Sequence, residues 1–268
     1  MKTLVRLLTI FLVAVSFQNC NLISAAGLSS QGQPTKEVEG ELSSSTANSA
    51  VNVDHSGWDK LLKKHVNEAG MVDYKGFQKD RKELNEYLQL LSSQQPSDDW
   101  SVQELLAFYI NLYNAYTIDL ILNNYPVKSI KDIDGAFTKG FIPLDGRDLS
   151  LGGIENGILR KMNEPRIHFA INCASMSCPP LLREAYTASK INEQLDRATS
   201  QFINGDYNDL SATNPKVSMI FKWYEDDYTV NGKKDVIGFI NKYSKNTAIN
   251  QSAKLDYREY DWSLNDQQ

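Results

Sequence analysis

Apolar residues between positions 54 and 268 recur mostly at helical spacing, interrupted by short alternating runs and by Gly- or Pro-marked breaks. Ser56-Gly-Trp-Asp59 has capping-box spacing ahead of Leu61, Leu62 and His65 and predicts a first helix. A turn at Gly70 and a short strand at Val72-Asp-Tyr74 follow, then Leu84, Tyr87, Leu88 and Leu91 at helical spacing until Pro96 and Asp98-Asp99. Ser101-Val-Gln-Glu104 is a second capping box, with Trp100 as the staple residue before it. Leu105, Phe108, Tyr109, Leu112, Tyr113, Tyr116 and Leu120 then cover so wide an arc that the Ser101–Asn123 helix must be the central buried element. Only Asn111 and Asn114 interrupt that arc, one turn apart on one face.

Beyond the helix stop at Asn123-Asn124-Tyr-Pro126 the pattern shortens. Asp145-Gly146 reads as a hairpin turn between Phe141-Ile142 and Leu149–Leu151, and Ile154 to Met162 as a short helix carrying Glu155. Ile167 to Ile171 reads as a strand, and Ile191, Leu195, Ala198 and Phe202 as an amphipathic helix ending at Asn204-Gly205. Met219–Tyr228 and Val236–Tyr243 predict further helices, and Leu255–Trp262 is strand-like. Helices interleaved with short, non-repeating strands predict an α+β fold, a single globular domain with helices packed on a small mixed or antiparallel sheet.

Lys2 and Arg6 precede an apolar run from Leu4 to Val15 that is too short to span a bilayer, and small residues follow at Ser24, Ala25 and Ala26. Residues 1–26 are therefore expected to be a signal peptide, and the protein exported to the periplasm, the cell surface or the medium. Cys20 opens the alternative of a lipid anchor, although Phe17-Gln18-Asn19 before it is bulkier and more polar than a lipobox. Residues 27–53 are Ser, Gln, Gly, Thr and Glu with few large apolar side chains, which predicts a disordered linker. The globular domain is then 54–268. Removing Lys2 and Arg6 with the leader leaves 26 basic residues against 33 acidic, a net charge of −7. An acidic domain without a basic stripe argues against nucleic acid as partner. No spanning membrane segment and no cofactor are expected.

Candidate chemistry concentrates at Arg166-Ile-His-Phe-Ala-Ile-Asn-Cys-Ala-Ser-Met-Ser-Cys-Pro-Pro180, which holds one of three histidines and two of three cysteines. Cys173 is the candidate nucleophile and His168 the base offered by the motif. On a regular strand those two side chains would face opposite ways, so a dyad requires a break near Asn172. Glu155 is placed to orient an imidazole, and Asn111 or Asn114 to donate to an oxyanion; both asparagines serve equally well to satisfy backbone groups of neighbouring loops. Ser175 and Cys178 are expected to line the substrate side. His168, Cys173 and Cys178 lack a fourth ligand for zinc, so no metal site is assigned. Trp223, Tyr224, Tyr228 and Trp262 read as core, and Asp226-Asp227 as a solvated turn.

Phe108-Tyr-Ile-Asn-Leu-Tyr-Asn-Ala115, Leu151-Gly-Gly-Ile-Glu-Asn-Gly-Ile-Leu-Arg160 and the cysteine stretch occur in that order, followed by Ile220-Phe-Lys-Trp-Tyr224 and Tyr260-Asp-Trp-Ser263. Together they resemble the domain of unknown function 547 family, in an exported, bacterial-type member. The resemblance implies that the first cysteine, here Cys173, is the one usually present, and that the second, here Cys178, is Ser in some relatives. It also implies Ile-Glu-His where this chain has Ile154-Glu155-Asn156, so the histidine that would be the first candidate base is absent.

Two readings of function stay open. One is a thiol-dependent hydrolase or acyltransferase acting on an amide or ester, with Cys173 as nucleophile, in the broad manner of papain- or transglutaminase-like enzymes. The other is a non-catalytic binding domain whose loop is braced by a Cys173–Cys178 disulfide. The expected partner is a peptide, acyl or glycan ligand.

Overall fold

The computed structural model describes residues 20–46, 48–230 and 232–267; the basic and apolar run of the expected leader, residues 1–19, lies outside the described residues. Helices α1 (Ser56–His65), α2 (Tyr74–Lys79), α3 (Arg81–Ser92) and α4 (Val102–Asn124) form the first half. α2 and α3 pack directly on α4, and α1 packs on α2 and α3. In α4, 17 of 23 residues are buried, which fits a helix apolar on nearly every face. It is long and apolar enough to cross a membrane, yet its apolar surface is enclosed by the rest of the protein. Ser101 Oγ accepts from Glu104 N as the capping box requires. Glu104 does not reciprocate: its carboxylate accepts from Val53 N instead, at 2.8 Å. Trp100 is buried edge-on against Phe108.

The second half contains hairpin β1 (Ile142–Leu144) and β2 (Arg147–Leu149), helix α5 (Ile191–Ile203), strand β3 (Lys216–Val217), the single turn α6 (Ile220–Trp223), hairpin β4 (Thr229–Val230) and β5 (Lys233–Lys234), helix α7 (Val236–Tyr243) and strand β6 (Asp256–Tyr257). Asp145 and Gly146 both take positive φ at the β1–β2 turn; that is the pairing a two-residue hairpin favours. The fold is α+β. Among the described residues its strands form three separate two-stranded ladders, β1–β2 and β4–β5 antiparallel and β3–β6 parallel.

Four local expectations fail for identifiable reasons. Val72 makes only isolated bridges, because Asp73 caps α2 by accepting from Gly76 N and turns the chain into a helix at Tyr74. Ser56 lies inside α1 rather than at its cap; Ser56 N donates to Asp54 Oδ1. Ile167–Ile171 is not a strand, because Pro165–Phe169 is a 3₁₀ helix opened by the Glu164 side chain and by Pro165 at its start. Short apolar runs do not distinguish the two conformations. The Met219–Tyr228 helix shrinks to Ile220–Trp223.

Residues 20–46, read from composition as leader end and linker, run along the domain. Val38 N donates to Met162 O at 2.8 Å, Lys36 Nζ donates to Trp100 O, and Val38 and Leu42 are buried. Ser24 reaches the glycines of the Leu151–Gly157 stretch; a Cβ on Gly157 would stand 2.4 Å from Ser29 O and 2.8 Å from Ser24 Oγ. Small residues, backbone approach and only two buried large apolar side chains, Val38 and Leu42, hold this segment, too few for composition to reveal it.

One core group makes stability pH-dependent. His55 is buried, with Nδ1 2.6 Å from the Tyr87 hydroxyl, and burial lowers its pKa to about 4. Below the unfolded value of ~6.5 the unfolded chain takes up a proton that the folded chain refuses, so this contribution is complete above that value and lost as pH falls towards 4. Unfolding free energy is expected to drop by roughly 3 kcal/mol through this group between pH 7 and pH 4. Urea titrations of wild type and His55→Phe should diverge over that window, and parallel slopes would assign the effect elsewhere.

Candidate active site

The loop after the 3₁₀ helix is built around Asn172. Its side chain accepts from Ala174 N at 2.9 Å and donates to Pro179 O at 2.8 Å, so one amide pins both ends of the cysteine loop. Ala174 sits in the left-handed region at φ 60°, a strain of about 1 kcal/mol for a residue with a Cβ. Asn265, held by the Tyr74 hydroxyl, donates to Asn172 Oδ1, and the closing segment pairs along the loop through Met176 N to Ser263 O and Asn265 N to Ala174 O. Asn114 completes the frame: its Nδ2 donates to Ala170 O and its Oδ1 accepts from Asn172 N. Asn111, one turn earlier, instead clamps the backbone of Tyr186 at both N and O. Both asparagines thus satisfy backbone groups, and only Asn114 touches the cysteine loop.

Cys173 and Cys178 are free thiols with sulfurs 2.8 Å apart, the first half-buried and the second buried. Cys173 N donates to Cys178 Sγ at 2.9 Å. Ser175 Oγ lies 3.1 Å from Cys173 Sγ and from the Tyr260 hydroxyl, which is itself 3.4 Å from that sulfur. The hydrogen bond from the Cys178 thiol draws the Cys173 pKa down, against burial and with help from Ser175 and Tyr260. Burial pushes the Cys178 thiol well up, and the neighbouring Cys173 adds to it. Of the pair, Cys173 is thus the thiol drawn towards ionisation and Cys178 the one held protonated.

His168 is not among the partners of Cys173. Its Nε2 donates to Asp227 Oδ2 at 2.7 Å, its ring stacks on Tyr224 at 3.9 Å, and its buried Nδ1 has no hydrogen-bond partner. Asp227 also receives a two-pronged bond from Arg160, at 2.6 and 2.7 Å. Burial alone would raise the Asp227 pKa, but the bonds from His168 and Arg160 hold it at about 2. Asp227 is thus no solvated turn residue, while its neighbour Asp226 is exposed and paired with Lys234. The other histidines are elsewhere: His65 Nε2 pairs with Asp80 and His55 with Tyr87, and neither lines the cavity described next.

Cys173, Cys178, His168 and Glu155 share the walls of one cavity of about 210 Å³. Glu155 sits in a π-helical turn (Gly153–Ile158), buried, accepting from the Tyr224 and Tyr113 hydroxyls. Glu155→Gln replaces one accepting oxygen by a donor facing a tyrosine hydroxyl, and is expected to cost about 1–3 kcal/mol. An unchanged melting temperature would mean the two tyrosines hold nothing. Asn156, where the resemblance implies a His, donates to Ala25 O and accepts from Arg160. Trp223, Tyr260 and Trp262 form the outer wall, with ring centroids 4.6–5.9 Å apart. Of the aromatics expected in the core only Tyr228 is fully buried, and Trp223 is 42 % exposed. Among the described residues no group of three or more His, Cys, Asp or Glu side chains is arranged for a metal ion.

Tyr113, Tyr224, Asp227 and Tyr260 are the site residues that sequence reasoning did not assign. The signal for three of them was present in the quoted motifs, which contain Tyr113, end at Tyr224 and begin at Tyr260.

No curated protein and no solved structure matches the chain. Residues 97–203 match the family model described as "Protein of unknown function, DUF547". That stretch runs from the turn before α4 through Glu155 and both loop cysteines into the last turn of α5.

Proposed function

We propose that this domain, exported in the cell, carries thiol-dependent acyl chemistry, hydrolysis or transfer at an amide or ester, with Cys173 as nucleophile. The observation that carries the reading is a half-buried thiol with a lowered pKa at the wall of a cavity, beside a second thiol able to supply a proton. The Cys173 thiolate attacks the carbonyl carbon, and the Tyr260 hydroxyl is near enough to donate to the oxygen that becomes negative. As the bond to the leaving amine or alcohol breaks, that group takes the Cys178 proton. The thioester is then opened by water or an acceptor alcohol, whose proton returns to Cys178 as Cys173 leaves as thiolate. Glu155, in the same cavity, orients that acceptor. His168 acts indirectly, holding Tyr224 by stacking and Asp227 by its Nε2. The Trp223, Tyr260 and Trp262 wall suits an apolar acyl group, or a peptide or glycan ring.

The competing reading, a binding domain, is favoured by the exposure of Trp223 on that wall. A panel of activated esters and small electrophiles separates the two. The enzyme reading expects one acyl or alkyl adduct at Cys173, formed with a pH midpoint below the ~8.5 of a free thiol. No adduct at Cys173 across the panel, with Cys20 labelled normally, would leave the binding reading.

A further inference from the structure

A hydroxyl in place of the Cys178 thiol would also hydrogen-bond to Cys173, so that hydrogen bond alone does not call for sulfur at residue 178. The Asn172 Nδ2 to Pro179 O bond closes the loop one residue outside each cysteine, holding the sulfurs together without any chain movement. Cys178 is only 6 % exposed, so an incoming reagent meets Cys173 first. We propose that Cys173 and Cys178 also perform a two-electron thiol–disulfide exchange, reducing a small neutral or cationic organic disulfide that enters the cavity.

In the first step the Cys173 thiolate attacks one sulfur of the substrate RS–SR. A Cys173–SR bond forms, the substrate S–S bond breaks, and the departing RS⁻ takes the Cys178 proton. In the second step the new Cys178 thiolate attacks Cys173 Sγ, the Cys173–SR bond breaks, and the second RS⁻ takes a proton from solvent. The substrate gains two electrons and leaves as two thiols, while the pair becomes a disulfide that an external dithiol can reduce again. The Cys173 N–H, already on Cys178 Sγ, is in place to stabilise the second thiolate as it forms. The charge preference follows from the lining, which contains the acidic residue Glu155 but no Lys or Arg.

The test uses the full chain with Cys20→Ser, reduced and freed of reductant, and cystamine as the disulfide. The expected product is a chain about 2 Da lighter, with two thiols released per chain. Cys178→Ser should stop at a stable adduct on Cys173, and Cys173→Ser should react at least ~100-fold more slowly. Glutathione disulfide, which is anionic, should react about tenfold more slowly than cystamine. A persistent adduct on the chain that keeps both cysteines, or equal rates with Cys173→Ser, would overturn the exchange; equal rates with the two disulfides would overturn the charge preference. The mass readout on the Cys20→Ser chain requires no substitution in the cysteine loop. Failure here would leave acylation of Cys173 by esters untouched.

Discussion

Cys173→Ser is expected to remove adduct formation with esters and electrophiles by at least ~10³-fold while leaving the fold in place. The hydroxyl keeps the small volume of the thiol and can still bond to Cys178, Ser175 and Tyr260, so the loop is not asked to reorganise. What disappears is the ionised sulfur, since an alcohol stays protonated where a thiolate forms. Cys178→Ser should be milder, about tenfold, because a hydroxyl still donates to the Cys173 sulfur but releases its proton less readily. Rates by stopped assay and melting temperatures on the same preparations give the comparison. If both substitutions lower stability equally and neither changes reactivity at position 173, the two cysteines are a structural staple and the acyl reading ends.

What could be seen in the sequence divides along a physical line. Helix α4 was legible because an apolar arc covering most of a helix admits burial alone, and Asn111 and Asn114 stood out as amides that must find partners there. Residue types in the cysteine loop were equally visible. Their pairing was not. His168 and Cys173 are five positions apart and invited a dyad, but the 3₁₀ helix and the left-handed Ala174 set their surroundings, and His168 serves Asp227 instead. Tyr113, the Tyr224–Asp227 turn and Tyr260 come from three separate stretches, two of them beyond residue 203, so only tertiary packing assembles them. Tyrosines in aromatic-rich motifs read as core on composition; their hydroxyls acquire a role only once Glu155 and Cys173 face them. The packed segment 20–46 was missed because small side chains and backbone amides give no periodic signal.

Asn172→Ala is expected to be the most damaging single change to the loop, costing about 3–5 kcal/mol of stability and about 10²-fold in any Cys173 reaction. Three partners lose their bonds at once: Ala174 N, Pro179 O and Asn265 Nδ2, and the Asn172 side chain that held them is buried. Each buried group left unpaired costs about 1–3 kcal/mol, reduced where the loop relaxes or water enters. Relaxation is itself harmful here, because Ala174 stays at positive φ only while its N–H is held, and the sulfur spacing depends on the pin to Pro179. Asn172→Asp keeps the oxygen facing Ala174 N and Asn265 but puts a second acceptor against Pro179 O. It should therefore open the neck of the loop while sparing its left-handed turn, and lose less stability than the alanine variant. Urea unfolding gives the ordering, and labelling of Cys173 by a small electrophile reports the site. If Asn172→Ala unfolds within about 1 kcal/mol of the wild type and Cys173 keeps its reactivity, the loop is held by the closing segment alone and the pinning role of Asn172 is wrong.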